Sequence, residues 1–216
     1  MINAVIDMSH SQTISDDSFV QVYSAGILGV LHKITEGTSY VDGAYAPRQP
    51  MALAAGLLWG AYHFGRHGDP FGQAYHFLDI VQPTPQTLLV LYWESCGENP
   101  DMTLDEAERF VTAIVEETGR WPGLYSGERY CGDALAGVEQ TVLSQCWLWL
   151  AKYSEEMPVV PPQWDILTLW QYTNGTEGPE PHEVPGIGRC DRDLFNGNEE
   201  GLRRLWGVEQ GGGEAV

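Results

Sequence analysis

Basic residues are scarce in this chain. Its 11 Lys and Arg stand against 30 Asp and Glu, a formal net charge of −19 and a pI near 4.4. That balance leaves no basic stripe to neutralise phosphates, which excludes nucleic acid and anionic membrane surfaces as partners. Acidity alone names no substrate and describes a well-solvated surface. Cysteine is sparse too. Cys96, Cys131, Cys146 and Cys190 are widely spaced and form no CxxC, so buried free thiols are expected rather than a metal ligand set or a disulfide framework. The six histidines are scattered, with no HExxH and no His pair at helical spacing beside an acid. No metal and no cofactor is expected.

Long hydrophobic runs are also missing. The longest, MALAAGLLWGAYHF from Met51, is too short and too rich in glycine for a spanning helix and reads as helix, turn and buried strand. The opening MINAVID has no basic start, apolar stretch or small-residue cleavage site, so cytoplasmic synthesis without a signal peptide is expected.

What is present fits one compact domain. The chain has 216 residues, 43% hydrophobic and 19% charged, enough for one sizeable core. The expected boundaries are 1–209 for the domain and 210–216 for a disordered tail containing GGGEAV. Eight β-prone runs alternate with longer patterns: AVIDMS, GVLHKIT, GLLWGAYHF, LLVLYWE, GLYS, CWLWLA, LTLWQYT and GIGRCD. Between the early ones lie DSFVQVYSAG, AYAPRQPMALAAG, DPFGQAYHFLDIV and TLDEAERFVTAIVEETG, with apolar residues at three- and four-residue intervals. Thr103 and Glu106 have the spacing of a capping box, and Gly119 is placed to end that helix. Past residue 120 the helices shorten and Gly and Pro accumulate. The expected fold is α/β, a flattened TIM-type (β/α)8-like barrel with an irregular second half. A doubly wound open sheet is the rival, but the GxGxxG loop that often marks one is absent.

In such a barrel the active site lies at the C-terminal ends of the strands. The ends of these runs carry Asp7; Lys33 with Glu36 beyond; Tyr62 and His63; Glu94; Tyr125; Trp149 with Tyr153 beyond; Gln171 and Tyr172; and Asp191. One acid after a strand is usually a cap or turn former, but polar and aromatic groups at all the ends point to a shared site.

The stretches AVIDMSH, KITEGTSYVD, GAYHF, VLYWE, LWLAKY, WQYT and GIGRCDRDLF, in this order and spacing, resemble the glycoside hydrolase family 25 muramidases, the Chalaropsis-type lysozymes. The resemblance runs from about Ala4 to Trp206. It implies an enzyme that cleaves the β-1,4 bond between N-acetylmuramic acid and N-acetylglucosamine. The implied partner is the peptidoglycan glycan strand, with no obligate protein partner, and the implied place of action is the cell wall after holin-type release or dedicated secretion. In the family the fourth strand ends in Asp-x-Glu, whose Glu is the catalytic acid. Here the motif falls on Tyr92, Trp93 and Glu94, while the family acids of the first and last strands match Asp7 and Asp191.

Residues 92 and 94 share one face of their strand and look into the barrel mouth, with Trp93 turned outward. Glycoside cleavage needs a protonated acid at the leaving oxygen and a negative group near the sugar carbon. Glu94 supplies the first, provided that aromatic neighbours raise its pKa. Tyr92 is ordinarily neutral, which leaves three arrangements for the second. Asp191 or Asp7 serves as the anion; Tyr92 orients the acetamide or acts as nucleophile; or only glycan binding survives, in a weak or inactive barrel. Candidate catalytic residues are therefore Glu94, Asp191, Asp7 and Tyr92. Candidate substrate-binding residues are Tyr62, His63, Tyr125, Trp149, Gln171, Lys33 and Glu36, each with a bland alternative: the rings as core, His63 as a structural histidine, Lys33 as an ion-pair partner of Glu36.

Overall fold

The computed structural model describes residues 1–95, 97 and 100–208. The elements follow in the order β1 (Ile2–Met8), α1 (Ser18–Ser24), β2 (Gly29–Glu36), β3 (Tyr40–Val41), α2 (Tyr45–Ala54), β4 (Leu58–Phe64), α3 (Pro70–Val81), β5 (Leu88–Tyr92) and α4 (Leu104–Thr118). Then come β6 (Gly123–Gly127), α5 (Glu128–Ala134), a 3₁₀ turn (Val142–Gln145), β7 (Trp147–Ala151), β8 (Leu167–Thr173), β9 (Glu183–Val184), β10 (Gly188–Arg189), β11 (Asp191–Phe195) and α6 (Glu199–Leu205). The expected tail, Cys96 and the residues that follow Val208 lie outside the described residues. Cys131, Cys146 and Cys190 are buried free thiols.

Strands β1, β2, β4, β5, β6, β7 and β8 run parallel in sequence order, and β11 closes the ring by pairing antiparallel with both β8 and β1. The result is a closed eight-stranded barrel to which β3 is added as a hairpin on β2. One expectation needs correction here. The run GIGRCD is not a parallel strand ending at Asp191. Its Gly188–Arg189 pairs with β9, and the barrel strand starts at Asp191 and runs the opposite way. The reversal leaves Asp191 at the same mouth, because the first residue of an antiparallel strand lies beside the last residues of its parallel neighbours. Its Cα partner across the ladder is Asp7.

Two apolar layers hold this arrangement. Inside the barrel, Leu31, Leu58, Leu88, Val90, Leu169 and Phe195 pack beneath Tyr62, Tyr92, Tyr125 and Trp149. Outside it, Ile6, Ile34, Ala61, Leu91 and Leu148 meet Phe77, Phe110 and Ile114 of the helices. The two-residue period of the strands separates the layers, so that alternate residues of one strand belong to different cores. Gly60 lets the inner layer close: a Cβ there would stand 2.5 Å from Leu31 Cδ2. Among the described residues no helix is long and apolar enough to cross a membrane.

Helix α4 shows how local chemistry fixes the segment after β5. The Thr103 side chain accepts from the Glu106 amide at 3.3 Å and Glu106 accepts from the Thr103 amide at 2.7 Å, a complete capping box. Gly119 ends the helix in the left-handed region at φ 69°. Glu106 also accepts from the Gly68 amide at 2.9 Å and pairs with His67 at 3.1 Å, which ties the loop after β4 to the start of α4. Loss of the Thr103 cap is expected to cost about 1 kcal/mol, and Glu106→Ala more, because it also releases the β4 loop. Urea unfolding of the two variants checks the order, and equal losses would confine Glu106 to the cap.

Candidate active site

The floor of the mouth is a stack of three tyrosines. Tyr92 lies between Tyr62 and Tyr125, with centroids 3.9 and 3.7 Å away and planes tilted by 14° and 13°. Trp149 meets Tyr92 and Tyr125 edge-on, at 5.4 and 4.7 Å. The order follows from the ladder, since Tyr92 pairs in register with Tyr125 and Tyr125 with Trp149. Such contacts add to the burial of the rings themselves. With its ring fixed, the Tyr92 hydroxyl donates to Asp7 Oδ1 at 2.7 Å. Gln171 Nε2 donates to Asp7 Oδ2 at 2.6 Å, and the same amide accepts from the hydroxyls of Tyr125 at 2.9 Å and Tyr153 at 3.0 Å. Asp7 is therefore gripped at both oxygens, by donors from β5 and from β8.

Four carboxyl groups share this region, and burial sorts them. Asp7 and Asp193 are fully enclosed, while Glu94 and Asp191 are half-buried at the rim. Burial, reinforced by the charges of Asp191 and Asp193, pushes the Asp7 carboxyl well above the usual range, against the pull of its two donors. Burial raises Asp191 to about 6. Burial and then the charge of Asp191 raise Glu94 to about 7, with Lys33 opposing. Asp7 and Asp191 face each other directly, where two like charges are unfavourable. The negative charge of that pair resides on the better hydrated Asp191. Near neutral pH the rim thus offers one carboxyl poised to give a proton and one ionised.

The remaining candidates divide. Lys33 and Glu36 do form the ion pair, at 2.5 Å, and Arg66 closes on the other Glu36 oxygen at 2.5 Å. Lys33 sits 5.2 Å from the Phe64 and Tyr40 ring centroids, so this group forms one wall of the mouth. His63 leaves the substrate-binding set. It occupies the outer face of β4, fully buried, bonded to Thr35 Oγ1 at 2.8 Å and Gln73 at 3.2 Å, with its ring stacked on Phe110. Burial drives its pKa down to about 3, so it stays neutral. Trp149 is likewise no exposed sugar platform. It is wholly buried and its indole donates to Asp193 Oδ1 at 2.7 Å. Tyr62, Tyr125 and Gln171 are in the mouth, and each is more than nine-tenths buried. Asp193 and Asp42 were not foreseen. Asp193 shares the inward face with Asp191 and Phe195, and counting two residues on from Asp191 finds it. Asp42 accepts from the His10 and Ala44 amides, both at 2.9 Å, and orders the rim beside β3. Among the described residues no three His, Cys, Asp or Glu are grouped to hold a metal ion.

A proton donor and an anion at one groove, over an aromatic floor, is an arrangement that serves glycosidic bond cleavage. The family model "Glycosyl hydrolases family 25" matches residues 6–180. The chain belongs to that family. This family 25 chain is a glycoside hydrolase. It is 26% identical over 175 residues to the N,O-diacetylmuramidase of Chalaropsis sp, covering 71% of this chain and 81% of that protein. It is 26% identical over 214 residues to Lysozyme M1 of Streptomyces globisporus, covering 93% and 70%. The solved muramidase of Acremonium alcalophilum superposes with a TM-score of 0.80 at 26% identity, covering 97% of this chain and all of that one.

A stability test follows from the raised acids of this family 25 site. Glu94 and Asp191 bind their protons more tightly when folded, so their contribution to stability is full below about pH 4 and lost as pH rises through about 6 to 7. Glu94→Gln removes one of these losses. Its melting temperature relative to wild type should rise between pH 4.5 and 8, and a pH-independent difference would contradict the burial of Glu94.

Proposed function

We propose that this chain is a peptidoglycan muramidase that hydrolyses the β-1,4 bond between N-acetylmuramic acid and N-acetylglucosamine. The observation that carries the reading is the meeting of two half-buried carboxyl groups, Glu94 and Asp191, at one rim above the tyrosine stack, where burial raises Glu94 to about 7. Glu94 gives its proton to the leaving oxygen as the bond to the sugar carbon breaks, and water then bonds to that carbon, its released proton returning to the carboxylate. Asp191 is the negative group that faces the positive charge developing on that carbon. Tyr92 supports without reacting: burial and the nearby Asp7 raise its hydroxyl well above 10, and the proton that it would have to lose is directed at Asp7. Asp7 with Tyr92 and Gln171 braces the rim on which Asp191 sits. Action on the wall after release from the cytoplasm belongs to the same proposal.

A second reading, glycan binding without cleavage, has one observation in its favour, the tyrosine at the position where the family carries a carboxylate. Release of reducing ends from purified peptidoglycan separates the two, because a binding protein sediments with the wall and makes no new ends.

Glu94→Gln should lower turnover by ~10²–10⁴-fold with the fold intact, as loss of a placed general acid does. Wild-type activity in that variant removes Glu94 from the mechanism. Asp191→Asn should be comparably damaging, whereas Tyr92→Phe should keep most activity, since Gln171 still holds Asp7 and the ring still fills the stack. A folded but inactive Tyr92→Phe protein beside an active Asp191→Asn protein would transfer the reacting role to Tyr92.

A further inference from the structure

The least explained acid in the molecule is Asp193. It has no exposed surface, and its neighbours on the inward face are Val5, Leu169, Trp149 and Phe195. Trp149 Nε1 donates to Oδ1 at 2.7 Å, and Oδ2 is buried with no hydrogen-bond partner. The charged and titratable groups around it are few. Asp191 and Arg192 flank it on β11, and Asp7 lies beyond on β1. Strands β7 and β8 present Trp149 and Gln171, which do not titrate, the latter across the ladder from Asp193. Arg192 does not compensate it directly. Its guanidinium is turned to the other face of β11, where it donates to the Glu183 carbonyl at 2.7 Å and to Asn3 Oδ1 at 3.1 Å.

An ionised carboxylate in that position would be a buried charge with one donor, no cation in contact and two other carboxyl groups nearby, a combination that strongly disfavours the charged form. A neutral carboxylic acid avoids the cost and keeps one oxygen as acceptor for the indole. That bond fixes the Trp149 ring, which stands edge-on to Tyr92 and Tyr125, the two tyrosines whose hydroxyls reach Asp7 and Gln171. We propose that Asp193 is a positioning residue that stays protonated while the enzyme works, clamping Trp149 and through it the tyrosine stack beneath the reacting carboxyl groups. Its neutrality has a second effect. It leaves the charge of the mouth to Asp191, which has water access. The part of this proposal that concerns turnover rests on the muramidase reading; the part that concerns the proton does not.

Three measurements on the whole chain test it. Difference infrared spectroscopy of wild type against Asp193→Asn at pH 7 should show a protonated-carboxyl stretch that the variant lacks; its absence overturns the proposal whether or not the chain cleaves peptidoglycan. Asp193→Asn, which keeps the acceptor and the shape, should rescue what Asp193→Leu loses, about 10²-fold in kcat with KM little changed, the effect of a misplaced reacting group. If Asp193 were instead ionised, its removal would lower the acid limb of the Asp193→Asn pH profile by about one unit or more. That shift, or equal damage from the two variants, overturns the proposal. Should Asp193→Leu not fold, Trp149→Phe removes the same hydrogen bond from the other side and must give a similar loss in kcat. A wild-type chain without cleavage defeats the muramidase reading while the infrared band still decides the proton.

Discussion

The site depends on how one buried carboxyl group is satisfied. Asp7 lies at the end of the first strand with almost no exposed surface, and its two donors, Tyr92 and Gln171, come from two other strands, β5 and β8. Burying a polar group without a partner is costly, so these contacts dictate much of what surrounds them. The Tyr92 ring must lie at one depth for its hydroxyl to reach, which the stacking of Tyr62 and Tyr125 provides. Gln171 must present its amide nitrogen to Asp7, and the two tyrosine hydroxyls on its oxygen fix that orientation. Tyr92 is thus part of a network rather than an isolated ring in the barrel. It supplies a donor to an acid that would otherwise repel a third acid beside it.

Closure of the barrel gives that network its geometry. A parallel strand in the last position would bring its C-terminal end to the mouth, and Asp191 would then be the end of a run. The antiparallel β11 instead brings its first residue there and sends its inward side chains down into the core, so Asp191 at the rim is followed by Asp193 and Phe195 at successive depths. One strand thereby places an acid where water reaches it and another where water does not. Burial raises the carboxyl of each, and the charge of Asp191 adds to the effect on Asp193.

Most of the architecture was legible from periodicity. The alternating runs gave the parallel strands, the three- and four-residue spacing gave α1 to α4, and Thr103, Glu106 and Gly119 marked the ends of α4 as they stand. The gathering of Asp7, Glu94 and Asp191 at one mouth was legible as well. The direction of the last strand was not, because Gly188, Arg189 and Asp191 read as one β-prone run and nothing local separates a two-residue hairpin strand from the barrel strand after it. His63 misled for a related reason. It adjoins Tyr62 at the strand end, but the inward or outward sense depends on register, which only pairing defines. Asp193 was passed over because the last run was ended at Asp191, whereas the strand that carries both acids begins there.

The pairing of Asp7 with Asp191 joins residues separated by most of the sequence. The entropy of closing so long a loop opposes such a contact, and assembly of the intervening strands lowers that cost. The pair of acids is therefore a property of the finished ring only. A chain still emerging from the ribosome, with residue 191 not yet made, carries Glu94 but cannot yet set it beside Asp191.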